Sequence, residues 1–323
     1  MLKSISIEHL FNLYSYQLQL TDNHISGITF LTGPNGYGKS TILSLVNAVF
    51  LSKYGFLFQT PFKSIAMAME DFDGVNNYTL KITRTHLIEQ SDHSDVQKEE
   101  SVVLDYELRN DTTSSVVENF RVQSTDEVDM EGYNLALFLN NLPCYYITDQ
   151  RVVSSQLIKE QHVKSMEQYD LVFFKQDLKG KLNAPIQEPD LLAKIDLLKK
   201  IMGAFSFVDK DFEVDKAFGF RFLMRDKYRT ILDLDQLSSG EKHLFIQVYD
   251  LLFFVEENTL VLIDEPEISL HLAWQMSYLN MMLEIASFKH LQCIIATHST
   301  EIFGNDFTST IDLYEQSVQN GEC

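Results

Sequence analysis

The segment GPNGYGKST, Gly33 to Thr41, lies where an apolar stretch, GITFLTG, gives way to residues whose apolar members recur at helical spacing, Ile42, Leu45, Val46, Val49 and Phe50. A strand, a glycine-rich turn and a helix with one buried face is the setting that a phosphate loop requires. Glycines at 33, 36 and 38 let the backbone bend so that its N–H groups face an anion at a helix N-terminus. Lys39 then reaches the β- and γ-phosphates of a nucleotide, and the Ser40 hydroxyl is a ligand for Mg²⁺. Asn35, Gly36, Gly38, Lys39, Ser40 and Thr41 are the candidate nucleotide contacts.

A second constellation, TLVLIDEPEISLH, delivers two adjacent carboxylates, Asp264 and Glu265, to the C-terminal end of an apolar strand. Ligands sit at that end in open α/β sheets. Acidic pairs at strand ends are often only solvated, but a phosphate loop upstream gives this pair a task. Asp264 is placed to hold Mg²⁺ and Glu265 to orient or deprotonate an attacking water. A third, LSSGEKH from Leu237 to His243, opens a helix. Ser238 with Glu241 three residues on is a capping box, a purely structural role. A serine-glycine helix start is also an anion receptor, and the two roles are compatible.

These residues need strands and helices to converge them. Alternation at Tyr16, Leu18 and Leu20 predicts an N-terminal strand, and YTLKITR and SVVLDYEL read as further strands around a polar loop, EQSDHSDVQKEES. Between about Val152 and Tyr228 the pattern shows one clear helix, DLLAKIDLLKKIMG, and an alternating strand at Phe218, Phe220 and Phe222, without the sustained heptads of a coiled-coil arm. After Gln236 a helix, the strand TLVLID, another helix and the strand CIIA follow, as a parallel sheet covered on both faces requires. The expectation is one α/β domain over 1–323. Its split nucleotide-binding core with a mixed or parallel sheet comprises 1–50 and 236–323. An antiparallel β-rich lobe covers 51–150, and a helical and β insertion covers 152–228.

In order, GPNGYGKST, LSSGEKH, VLIDEPEISLH and IIATHS resemble the Walker A, signature, Walker B and switch-histidine motifs of ABC ATPases. The resemblance implies the ABC-ATPase fold, ATP and Mg²⁺ as ligands, and ATP hydrolysis. It also implies a homodimer in which Ser238, Ser239, Gly240 and Glu241 of one copy close over the nucleotide held by the other. His298 is then expected at the γ-phosphate, beside Glu265 as the second catalytic residue. PCYYITDQR supplies Gln150 for the Mg²⁺-sensing glutamine, although its spacing fits an ordinary loop glutamine equally well.

LSSGE, EPEISLHLAWQ and THS depart from the transporter pattern and resemble the RecF/SMC-like class, above all ATPases of the overcoming-lysogenization-defect type and their antiphage relatives. His271 stands near where other ABC proteins carry the aspartate of the subunit-crossing loop, a departure from the pattern by which that family links its two sites. Only about 25 residues follow His298, too few for a nuclease domain. An effector, a nuclease for instance, is therefore expected as a separate chain docking on 152–228.

Bulk properties agree with this reading. An apolar share of 45% supports a core, and no run of about 18 apolar residues or signal-peptide pattern occurs, so a cytoplasmic protein with no membrane partner is expected. Cys144, Cys293 and Cys323 lack disulfide or zinc spacing. A formal charge of −20 does not indicate nucleic acid as a partner, while leaving room for a local basic patch. A RecF-like DNA-end clamp is the alternative function, and a transporter subunit a more distant one.

Overall fold

The computed structural model of the chain describes residues 1–20, 27–71, 73–88, 100–124, 134–148, 152–155, 164–165, 171–186, 188–205, 210–268, 270–304 and 307–319. Most of the expected loop EQSDHSDVQKEES lies outside them, as does Gln150. The strands are β1 (Leu2–Leu10), β2 (Tyr14–Gln19), β3 (Ile28–Thr32), β4 (Ser64–Glu70), β5 (Asn77–Ile88), β6 (Glu100–Asn110), β7 (Ser115–Gln123), β8 (Cys144–Ile147), β9 (Val152–Ser155), β10 (Lys164–Ser165), β11 (Lys210–Asp215), β12 (Gly219–Met224), β13 (Ile231–Leu232), β14 (Leu260–Asp264), β15 (Gln292–Ala296) and β16 (Thr310–Asp312). The helices are α1 (Lys39–Phe50), α2 (Tyr54–Gln59), α3 (Asn134–Asn140), α4 (Leu171–Asn183), α5 (Leu191–Ala204), α6 (Ser239–Phe253), α7 (Leu272–Lys289), α8 (Thr300–Phe303) and α9 (Leu313–Gln319).

Seven strands form a mixed sheet in the order β10-β9-β8-β14-β15-β3-β16, parallel from β8 to β16 and antiparallel at β9 and β10. Its central strands β8, β14, β15 and β3 are short and apolar because both faces are covered. With side chains alternating, Val261, Ile263, Cys293 and Ile295 enter the core shared with α4, α5, α6 and α7. Leu260, Leu262, Ile294 and Ala296 enter the opposite core, shared with α1 and the second sheet. That second sheet is antiparallel, in the order β2-β1-β4-β5-β6-β7. The N-terminal strands β1 and β2, grouped by sequence with the nucleotide-binding core, thus pair into the antiparallel lobe. β8, at the far end of the region read as that lobe, instead pairs with β14. Gln292 joins the two sheets: its amide oxygen accepts the Leu2 N–H at 2.9 Å and its amide nitrogen donates to the Leu2 carbonyl at 2.6 Å.

The insertion holds two helices where the pattern predicted one, together with the small antiparallel sheet β11-β12-β13. Phe212, Phe220 and Phe222 of that sheet pack on Phe245 of α6, so the insertion rests on the helix that the signature opens. Among the described residues no helix is long and apolar enough to cross a membrane.

One buried group in this core makes the fold sensitive to pH. Asp250 of α6 is 1% exposed, and burial pushes its carboxyl up to about 7, against the opposing effect of the Tyr145 hydroxyl that donates to it at 3.1 Å. In the unfolded chain the group ionises near 3.8, so between about 4 and 7 the unfolded state sheds the proton first and stability falls as pH rises. Asp250→Asn removes this penalty while leaving Tyr145 an acceptor. Its thermal midpoint should exceed that of the wild type by about 3 °C at alkaline pH and coincide with it near pH 4, as melting curves across this range would report.

Candidate active site

β3, β15 and β14 are neighbours in the sheet, so the segments leaving their C-terminal ends lie side by side: the glycine loop, the ATHS turn and the Asp264–Glu265 pair. In the loop Gly36 and Gly38 have φ of 90° and 86°, conformations that L side chains rarely adopt. At Gly38 a side chain would also meet Leu10 Cδ2 at 3.0 Å. Gly38 is the N-cap of α1 and no side chain caps this helix. The first-turn N–H groups of α1 are therefore left for an anion, whereas α6 is capped by its own Ser238.

Lys39 is 5% exposed, and its ammonium donates to the carbonyls of Gly33 at 2.8 Å and Pro34 at 3.3 Å. Burial holds its pKa below the usual lysine range, with the carboxylates of Glu265, Asp264, Glu267 and Asp312 acting in the opposite direction. The Ser40 hydroxyl donates to Asp264 Oδ1 at 3.0 Å, which brings together the two oxygen donors expected for Mg²⁺. Glu265 adopts a left-handed φ of 46°, fixed by its N–H donating to the Ala296 carbonyl at 2.9 Å. Non-glycine residues held in this region cluster at functional sites, where surrounding structure enforces them. The His298 ring sits between the two halves, with Nε2 at 3.1 Å from Glu265 Oε1 and Nδ1 at 3.4 Å from Lys39 Nζ. Asn35 and Gly36 are exposed at the tip of the loop, and Thr41 is half-buried on α1.

The signature residues open α6 as a capping box. Ser238 Oγ accepts the Glu241 N–H at 3.3 Å, and Glu241 accepts the Ser238 N–H at 2.7 Å. Ser238 and Ser239 are exposed, and a hydroxyl that accepts a hydrogen bond keeps its own O–H to donate. Among the described residues no hydrogen bond or ion pair joins Ser238, Ser239 or Gly240 to the Lys39, Asp264, Glu265 and His298 group. Glu241, expected among the nucleotide contacts, is 5% exposed, and its other oxygen binds Lys210 Nζ of β11 at 2.5 Å. Burial raises its pKa, but the hydrogen bonds from Lys210 and Ser238 outweigh that and hold it below the ordinary value. Its carboxylate therefore ties the insertion to the signature helix.

Among residues the motifs did not single out, Glu267 reaches the ATHS turn. The signal for it, a second glutamate in EPE, is visible only once β14 and β15 are known to be adjacent. His271 caps α7 through Nδ1, which accepts the Ala273 N–H at 3.3 Å. Of the two tyrosines that could stack on a base, Tyr16 is fully buried, its hydroxyl donating to the Tyr37 carbonyl at 2.7 Å, and Tyr14 lies against Tyr37 with ring centroids 5.2 Å apart.

Residues 145–304, just under half of the chain, match the AAA domain family described as a putative AbiEii toxin of a type IV toxin–antitoxin system. No curated protein matches the chain. Among solved structures it is similar to an SMC head bound to the C-winged helix domain of ScpA, with a TM-score of 0.52 at 11% identity over 96% of this chain and 93% of that one. The SMC head domain from Thermotoga maritima gives a TM-score of 0.47 at 17% identity over 94% and 90% of the two chains. The first of these likenesses shows the fold, a mixed α/β architecture like that of an SMC head.

Proposed function

We propose that this chain binds ATP with Mg²⁺ and hydrolyses it in a head-to-tail homodimer, and that a separate effector protein reads the nucleotide state of the dimer. The observation that carries this reading is the convergence of Lys39, Ser40, Asp264, Glu265 and His298 at one end of three adjacent parallel strands. Lys39, now held by loop carbonyls, would exchange them for phosphate oxygens. Glu265 would accept the proton of the water attacking the γ-phosphate, and His298 would hold that carboxylate in line. Ser40 and Asp264 present the hydroxyl and carboxylate oxygens that Mg²⁺ favours, with Gln150 proposed beside them. When bound, the ion neutralises charge on the β- and γ-phosphates. Ser238, Ser239 and Gly240 would complete the pocket of the opposite protomer, with Glu241 supporting them from beneath.

A role in antiphage defence is supported by the EPEISLHLAWQ and THS sequences. The family description, which names a toxin–antitoxin system, also sets such a protein beside a partner. Helix α5, central to the expected docking region, packs Leu191, Ile195, Leu198, Ile201 and Met202 into the main core, so its deletion would unfold the domain. The exposed Val172, Phe173 and Leu192 are the surface to substitute instead. A DNA-binding reading gains no support from the basic residues of β12 and the turn after it. Arg221, Arg225 and Arg229 each pair with Asp211 or Glu213. Light scattering tests the proposal: a slowly hydrolysed ATP analogue with Mg²⁺ should double the particle mass, and only single protomers at every workable concentration would refute it.

A further inference from the structure

Glu267 lies thirty residues from Thr297 in sequence, yet its Oε1 accepts from three consecutive residues of the turn after β15. The donors are the Thr297 hydroxyl at 2.8 Å, the His298 N–H at 2.7 Å and the Ser299 N–H at 3.2 Å. The third is shared, since the Ser299 N–H also points to Thr297 Oγ1 at 3.0 Å. The turn is tied onward through the Ser299 hydroxyl, which donates to Gln275 at 2.6 Å, and through the Gln275 amide, which donates to the Leu270 carbonyl at 3.0 Å. The segment after β14, the ATHS turn and the first turns of α7 are therefore one hydrogen-bonded unit with Glu267 at its centre. The second oxygen of Glu267 is buried without a partner among the described residues, so all three bonds fall on Oε1.

We infer that Glu267 is a positioning residue: it clamps the ATHS turn so that the His298 imidazole stands between Lys39 and Glu265. The inference rests on the ATPase reading above for its catalytic consequence, though not for the clamp itself. A backbone bond to His298 N–H and a side-chain bond to the preceding threonine fix the backbone from which the ring projects toward Glu265 and Lys39. Small displacements of a catalytic group cost rate more than affinity.

The test uses the full chain and two readouts. In amide hydrogen exchange, Glu267→Ala should speed exchange of a peptide covering residues 297–304 by about tenfold or more, leave the β14 peptide unchanged, and be rescued by Glu267→Gln, whose amide oxygen still accepts. Glu267→Asp, one methylene shorter, should loosen the same peptide and serves if the alanine variant does not fold. In hydrolysis, Glu267→Ala should lower kcat about thirtyfold with KM within about threefold, and adding it to His298→Ala should cost nothing further. Unchanged exchange over 297–304, an equal loosening of β14, or losses that multiply in the double variant would each overturn the clamp. If the unmodified chain releases no phosphate at all, the ATPase reading fails, and the exchange comparison still decides the clamp.

Discussion

Glu265→Gln should lower the rate of phosphate release by roughly 10²–10⁴-fold while leaving ATP affinity within a few-fold of wild type. The substitution keeps the size of the side chain and an oxygen able to accept from His298, so the 3.1 Å contact between these residues and the backbone bond from Glu265 to Ala296 survive. What it removes is the ability to take a proton from water. Binding rests on other groups, the loop N–H donors, Lys39 and Ser40, none of which the change touches. If the closed dimer is opened by hydrolysis, the variant should also accumulate as a dimer in ATP and Mg²⁺. Single-turnover phosphate release and size-exclusion light scattering on the same samples check both halves. Release within tenfold of the wild type would show that Glu265 is not the base.

Much of this site was legible because each motif carries its chemistry on adjacent residues. Gly38, Lys39 and Ser40 follow one another at a strand-to-helix turn, and Asp264 and Glu265 end an apolar strand. Local pattern was enough to place both on the right elements. What escaped were relations across the sheet. The role of Glu267 depends on β14 and β15 being neighbours, a pairing between segments that spacing along the chain does not reveal. The inward use of Glu241 depends likewise on Lys210 of the insertion. β4, SIAMAME, was missed because Ala66 and Ala68 fill the positions where a half-exposed strand shows polar residues. α4 was missed although Leu171, Phe174, Leu178 and Leu182 keep helical spacing, because the exposed Val172 and Phe173 blur its apolar stripe.

A mixture of Lys39→Ala and Ser238→Arg proteins should regain activity that neither has alone. Lys39 sits under the glycine loop and Ser238 at the head of α6, and no hydrogen bond among the described residues connects them within the chain. If each pocket takes its lysine from one protomer and its signature serine from the other, a homodimer of either variant has two defective pockets. In a mixed dimer both defects fall in one pocket and the other is intact. With equal amounts and free exchange, half of the dimers are mixed, so about a quarter of wild-type turnover per protomer should return. Arginine at 238 places a bulky cation where a small hydroxyl stood, which blocks closure over the partner's nucleotide without disturbing the lysine of its own loop. ATP affinity of Ser238→Arg should therefore stay near wild type, whereas Lys39→Ala should bind ATP at least tenfold more weakly, having lost a charged contact worth about 1.5–3 kcal/mol. Phosphate release measured across mixing ratios should peak at equal amounts. A flat response would mean that each protomer builds its own complete pocket, and substantial hydrolysis by Ser238→Arg alone would lead to the same conclusion.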